Sequence, residues 1–464
     1  VLHDRMLTQS SAAFRVGGWS EEDSAEGSNL ALRVVSEEGD VDEAFSNSHV
    51  VVERTLHTKA VHQGYIEPQA TTAFWNKDGK LTIWCSTQQL FAFRDHTSAI
   101  LDIPVGDITI VPLEIGGGFG GKGQGGVYLE PVAAILSRKS GSPVKITMTR
   151  GEVFQGTGPT SGTSIKIKMG ASSEGKLIAV WAKLTYEAGA FPGSPVGGGS
   201  RTMLGPYVIP NAYIEALDVV TNVQKSSAYR APGSPAAAFA AETVIDEIAE
   251  KLNIDPIELR LLNAAKEGTR QPANGPIYRK IGLVETLNAA KDHAHYRSLL
   301  GNGNKGRGVA SGAWFNGSGP ASAVVSVNAD GTLNLVEGSP DIGGSRAAMS
   351  MQIADVLGLQ AKDVKPSIGD TDSIGYSSGA GGSSVTHKTG IACVEAARDI
   401  RAQMIARAAM IWDVDPSDVE YVKGVISHKN DSELRITFKE LSEMLNGTGG
   451  PIVGRATVNP GGVG

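Results

Sequence analysis

Glu114-Ile115-Gly116-Gly117-Gly118-Phe119-Gly120-Gly121-Lys122 is the stretch on which the reading of this chain turns. Five glycines surround a single Phe. Such a backbone has shed its side chains so that a large ligand can lie against its amide groups, and the one ring marks an edge. Upstream, Ile108-Thr109-Ile110-Val111 reads as a strand. Downstream, residues 127–136 (VYLEPVAAIL) read as a helix with Pro131 near its first turn. Strand, glycine loop and helix in that order place amides at a ligand. A second loop, Ala228-Tyr229-Arg230-Ala231-Pro232-Gly233, opens the strongest helical pattern in the chain, residues 236–252.

The theme recurs in the second half. Ser339-Pro340-Asp341-Ile342-Gly343-Gly344-Ser345 leads into a helix over 347–357, and residues 377–384 (SSGAGGSS) lead into one over 385–412. Glycine loops before helices present unpaired amide hydrogens at the positive end of a helix dipole, which favours phosphate or another anion. Neither nucleotide fingerprint fits: residues 116–122 lack the spacing of a phosphate loop and are too glycine-dense for a dinucleotide turn. Strand patterns fall at 49–56, 81–85, 144–148, 164–169, 176–186 and 214–223, the fifth being the longest and the expected centre of a sheet. Residues 256–265 read as a helix with Asp255 as N-cap and Pro256 in its first position. Asp330-Gly331 between two apolar runs signals a hairpin.

Composition narrows the class. A chain of 464 residues is too long for one ordinary core. Its formal charge is −7 and its basic residues are scattered, which argues against a nucleic-acid or anionic-membrane surface. The two cysteines, Cys85 and Cys393, lie far apart and cannot hold a zinc ion or an iron–sulfur cluster by themselves. No apolar run approaches the ~20 residues of a membrane span. A reducing compartment, the cytoplasm, is the simple reading, or the periplasm if a partner carries the export signal. Val1 and the closing Pro460-Gly461-Gly462-Val463-Gly464 suggest a fragment of a longer polypeptide. Residues 1–45, rich in Ser, Glu, Asp and Gly, are expected to be a connecting arm.

Residues 117–122 together with Ser86-Thr87-Gln88, His62-Gln63-Gly64-Tyr65-Ile66-Glu67-Pro68, Ala228-Tyr229-Arg230 and the run Asp255-Pro256-Ile257-Glu258-Leu259-Arg260 resemble the large, molybdenum-binding subunit of the xanthine oxidase family of molybdenum hydroxylases. The resemblance runs from about residue 46 to the end. It implies a mixed α+β fold with two molybdenum-cofactor-binding domains of mixed sheets and packed helices, the first at 46–300, the second at 307–464 and incomplete at its C-terminus. Gly-Asn-Gly-Asn-Lys-Gly at 301–306 would separate them.

The resemblance also implies roles. Gln88 matches the glutamine that hydrogen-bonds an oxygen ligand of molybdenum; its plainer reading is a strand-end amide that satisfies backbone groups. Gly117, Gly118, Phe119 and Gly120 match the segment beside the metal, with the Phe119 ring shaping the substrate pocket. Arg230 matches the arginine that steadies charge developing on substrate, a role suited to a guanidinium; its plainer reading is a structural ion pair. Gly343, Gly344, Ser345 and Arg346, and then Ser383, Ser384, Thr386 and His387, match stretches that bind the pyranopterin and its phosphate or nucleotide end. His387 and Lys388 would add charge there; the plainer reading of each is a solvated residue at a helix start. Molybdenum is held through the pterin dithiolene and not by side chains.

Three departures bear on substrate. Gly123 stands where purine-oxidising relatives place a glutamate, which points away from xanthine. Gly344 stands where a glutamine touches the pterin, and Ala231 replaces the copper-holding cysteine of carbon monoxide dehydrogenases. The implied activity is hydroxylation of an electron-poor C–H carbon of an N-heterocycle or aldehyde with water as oxygen source. The implied cofactor is molybdenum-molybdopterin in a cytosine dinucleotide form. Electrons would leave through [2Fe–2S] and FAD on partner chains, in a heteromeric complex or a dimer of heteromers. The general-base glutamate is expected beyond Gly464. The alternative is a non-catalytic or truncated molybdopterin-binding homologue.

Overall fold

A computed structural model describes residues 29–123, 129–273 and 275–461. Within these the chain divides into two compact units, one from residues 29–63 and 154–314, the other from 64–153 and 315–461. Each unit is thus discontinuous, where the sequence suggests a single cut at 301–306.

The first unit is built on a five-stranded mixed sheet in the order Leu30–Glu38, Asn211–Val220, Leu177–Gly189, Thr163–Ala171, Val50–Thr58. The longest strand, Leu177–Gly189, is central, as its apolar run predicts. It pairs parallel with Asn211–Val220 and antiparallel with Thr163–Ala171. The helix Ser234–Leu252 buries Ala237, Ala240, Ala241, Val244, Ile245 and Ile248 in the core of this sheet, positions spaced as one helical face. Asp255 caps the helix Pro256–Asn263, its carboxylate accepting from the amides of Ile257 and Glu258.

Residues 30–46 correct the connecting-arm expectation: Leu30–Glu38 is an edge strand and Val41–Ser46 a short helix. No residue of that strand is fully buried, so its sequence carries no clean alternation to betray it. Residues 1–28 of the expected arm lie outside the described residues.

The second unit holds two four-stranded sheets. One runs Ile108–Pro112, Leu81–Cys85, Ala70–Trp75, Val144–Thr147; the other runs Val364–Ile368, Leu333–Glu337, Ala321–Val327, Val453–Val458. The turn at Asp330-Gly331 joins Ala321–Val327 to its antiparallel partner, with Gly331 at φ +82°. A hydrogen-bond pair explains why residues far apart in sequence share this unit: the Ile110 amide donates to Thr371 Oγ1 and the Thr371 amide to Ile110 O. Ile374, Val324, Val336 and Ile368 pack against the core of the first of these sheets. The 28-residue helix Val385–Trp412 spans the range that the sequence predicts. The helix expected at 127–136 is Glu130–Ser140, and residues 127–128 lie outside the described residues. Among the described residues no helix is long and apolar enough to cross a membrane.

Candidate functional site

Strands Leu81–Cys85 and Ile108–Pro112 run parallel, with Cys85 opposite Pro112. Both chains leave the sheet at the same edge, and crevices at the carboxyl ends of parallel strands are where ligands of α/β sheets collect. The first exit carries Gln88, the second the glycine loop.

Gln88 is 4 % exposed and both ends of its amide are engaged. Its Oε1 accepts from the Gly120 amide at 2.9 Å and the Lys122 amide at 3.4 Å, and its Nε2 donates to Ala380 O at 2.9 Å. Backbone bonds Gln88 N to Lys122 O and Ala380 N to Gln88 O complete the joint. The plainer reading of Gln88 therefore holds: it staples backbone groups. It does not use up the side chain, because a primary amide carries two hydrogens and one remains beyond Ala380.

Gly118 lies against this amide so closely that a Cβ there would come within 2.5 Å of Gln88 Oε1. Phe119 sits at φ +52°, left-handed backbone that costs a side-chain-bearing residue about 1–2 kcal/mol, and its ring is 44 % exposed. Gly117 and Gly120 also have positive φ. The expected edge is thus present: an exposed ring on a backbone held beneath it.

In the same unit a cavity of about 400 Å³ is lined by Gly343, Gly344 and Ser345, by Ala380, and by Val385 and Thr386. Gly343 and Gly344 adopt φ +112° and +103°, and a Cβ on either would meet open space. Ala380 links this cavity to Gln88 through the bonds above. The amides of Val385, Thr386 and His387, at the start of the long helix, have no acceptor among the described residues. Ser383 is exposed at φ +58°, Ser384 is buried and donates to Gly381 O, and His387 Nε2 lies 3.4 Å from Gly461 O.

Loop 343–346 differs from a bare anion cradle. The Asp341 carboxylate already accepts from the amides of Gly343 (2.7 Å) and Ser345 (3.0 Å), and Arg346 pairs with Asp341 and Glu114. Burial alone would raise the Asp341 carboxyl, but the Arg346 guanidinium and these amides outweigh it and hold it down at about 2. The sequence reading missed this; an Asp two residues before a glycine pair and a helix start is the Asx-turn pattern that would have revealed it.

Lys388 is not a solvated helix-start residue. It is 1 % exposed, with Nζ donating to Ser378 O (2.7 Å), Ser378 Oγ (2.5 Å) and Gly379 O (2.8 Å), so it braces the segment that leads to Ala380. Burial lowers it to about 8, opposed by Glu337. Glu337 is fully buried; one oxygen accepts from the Ser339 amide and Oε1 has no hydrogen-bond partner. Burial pushes this carboxyl from 4.5 to about 8. Nothing in the sequence marks it, since a Glu at a strand end reads as solvated.

A carboxyl raised on folding adds stability below its unfolded value and loses it as pH rises through the folded one. Stability should therefore fall between about pH 4.5 and pH 8, and Glu337→Gln should flatten that part of the profile in urea titrations. An unchanged slope would show that Glu337 is ionised when folded.

Arg230 belongs to the first unit. It is exposed and makes no ion pair among the described residues, so the structural-pair reading finds no support there. Its loop is held: Gln63 Nε2 donates to Ala228 O and Gly158 O, and Tyr186 OH to Gly233 O. Gly233, at φ +87°, has room for no side chain, a Cβ falling 2.1 Å from Pro195 O.

Models of the molybdopterin cofactor-binding domain match residues 23–264 and 283–460. The chain is 30 % identical over 438 residues to the xanthine dehydrogenase molybdenum-binding subunit of Escherichia coli O157:H7, covering 90 % of this chain and 58 % of that protein. It is 29 % identical over 419 residues to the aldehyde oxidoreductase molybdenum-binding subunit of the same organism, covering 85 % and 54 %. The fold matches quinoline 2-oxidoreductase from Pseudomonas putida 86 with a TM-score of 0.80 at 22 % identity, over 95 % of this chain and 60 % of that one. The chain thus spans less than two thirds of each of these proteins. With both halves matched and the glycine loops in order, the chain belongs to the molybdopterin cofactor-binding family.

Proposed function

We propose that this chain holds a molybdenum-molybdopterin cofactor and belongs to an enzyme that hydroxylates an electron-poor C–H carbon of an N-heterocycle or aldehyde. The observation that carries the reading is the convergence of Gln88, the glycine loop and the cavity of about 400 Å³ through Ala380. That volume lies in the range of ligand and cofactor pockets, about 300–1,000 Å³.

The residues fit such a group. Gly343 and Gly344 leave open space where side chains would stand, and the amides of Val385, Thr386 and His387 can take a phosphate. Those amides are the better phosphate donors, because Asp341 already occupies the amides of Gly343 and Ser345. A pyrophosphate there is consistent with the cytosine dinucleotide form. When bound, the cofactor supplies a two-electron oxidation with water as the oxygen source.

The chain's own residues position and polarise. The second Nε2 hydrogen of Gln88 is a donor for an oxygen at the reacting centre, and Phe119 walls the substrate side. Arg230, exposed and without an ion pair among the described residues, offers fixed donors to developing negative charge. Gly123 favours substrates other than xanthine. Electrons would pass to [2Fe–2S] and FAD on partner chains.

Metal and pterin analysis of the purified complex, with dye reduction over a panel of aldehydes and N-heterocycles, tests this reading. Bound molybdenum with dye reduction is expected. Molybdenum without reduction of dye by any substrate would leave a cofactor-binding protein, and absence of both metal and pterin would overturn the assignment.

A further inference from the structure

Glu67 reaches the two ends of the glycine loop with a single carboxylate oxygen. Its Oε2 accepts from the Gly116 amide at 2.7 Å and from Lys122 Nζ at 2.5 Å, while its own amide donates to Gly116 O at 3.1 Å. Residues 116–122 are thereby closed into a ring whose crest is Phe119.

The closure is tight at the Gly116 end and buried at the other. A Cβ on Gly116 would fall 2.6 Å from Glu67 Cβ, and one on Gly117 would press on Tyr65 Cβ at 3.2 Å. The Lys122 side chain is 1 % exposed, against 32 % for that of Glu67. Lys122 Nζ also donates to Ser86 Oγ at 3.3 Å and stands 5.3 Å from the centre of the Tyr65 ring. Burial lowers the Lys122 ammonium below its ordinary value, and Glu67 opposes this. A charged pair spent so near a loop must hold something, for an ammonium is costly to bury without a partner.

We infer that Glu67, through Lys122 and Gly116, is a positioning residue that fixes the height and tilt of the Phe119 ring and so sets which substrates fit. Glu67 touches neither substrate nor cofactor in this role. The inference rests on the proposed function for the substrate, but the clamp can be read without it.

Hydrogen exchange by mass spectrometry and steady-state kinetics on the holoenzyme complex test the inference together. In Glu67→Ala, the amides of residues 116–122 should exchange about 10- to 100-fold faster, the scale of a lost charge-assisted hydrogen bond. KM should rise about tenfold while kcat changes less than about twofold, because binding geometry and not the reacting group is altered. Glu67→Gln, which keeps an oxygen for Gly116, should recover part of both effects. If Glu67→Ala does not fold, Glu67→Ala with Lys122→Met removes the unpaired buried charge and gives the same reading.

Unchanged exchange in residues 116–122 overturns the clamp. Faster exchange with unchanged KM overturns its role in selectivity. A wild-type complex without molybdenum or turnover would defeat the proposed function and leave the exchange result standing.

Discussion

Arg260→Leu should destabilise the first unit by about 3–5 kcal/mol, the cost of removing one partner from a buried ion pair. Arg260 is fully buried. Its Nε and one terminal nitrogen donate to Glu242 Oε2 at 2.9 and 2.8 Å, the same terminal nitrogen lies 2.8 Å from Asp246, and the other donates to Pro256 O at 3.0 Å. Glu242 also accepts from Tyr207 OH and from the Ser311 amide. Losing the guanidinium leaves a buried carboxylate without a counter-charge, and Tyr207 and Ser311 cannot neutralise it. Urea unfolding followed by tryptophan fluorescence measures the loss. The double change Arg260→Leu with Glu242→Leu should recover much of it, since the isolated charge is what costs most. A loss under about 1 kcal/mol in the single variant would mean that water reaches the pair.

Gln88→Ala should lower turnover about 10²-fold while the cofactor stays bound, the scale seen when a donor to a developing charge is removed. The same change leaves the Gly120 and Lys122 amides short of an acceptor, so loop loosening must be separated from loss of the donor. Gln88→Glu makes the separation. In this buried position a glutamic acid keeps an oxygen for Gly120 and, when protonated, has one hydrogen, which Ala380 O takes. If the second Nε2 hydrogen matters, Gln88→Glu should lose turnover nearly as fully as Gln88→Ala while hydrogen exchange of the loop stays at wild-type rates. Wild-type turnover in Gln88→Glu would reduce Gln88 to a staple.

These two predictions differ in how far the sequence foresaw them. Gln88 was visible as part of a motif, but its three backbone contacts were not, because they join residue 88 to residues 120, 122 and 380. Arg260 was visible within a helix run, yet its burial and its partner 18 residues upstream come from packing between helices. Lys388 is the clearest miss. Its position after a glycine-rich helix start reads as solvated charge, and only the fold turns it inward onto Ser378 and Gly379.

By itself the sequence determined the glycine loops, the order of strands and helices around them, the mixed α+β class and the family. The loops and elements follow from local chemistry, since glycine density, apolar period and capping residues act within a few positions of one another; the class and the family follow from the resemblance of the motifs. Only the tertiary structure decided that residues 64–153 fold with 315–461, that Leu30–Glu38 is a strand, that Asp341 fills the amides beside it, and that Glu67 closes the loop around Phe119. Each of these depends on contacts across long sequence separations or on burial that a polar residue type does not announce, and free energies of that kind exist only once the distant partners have met.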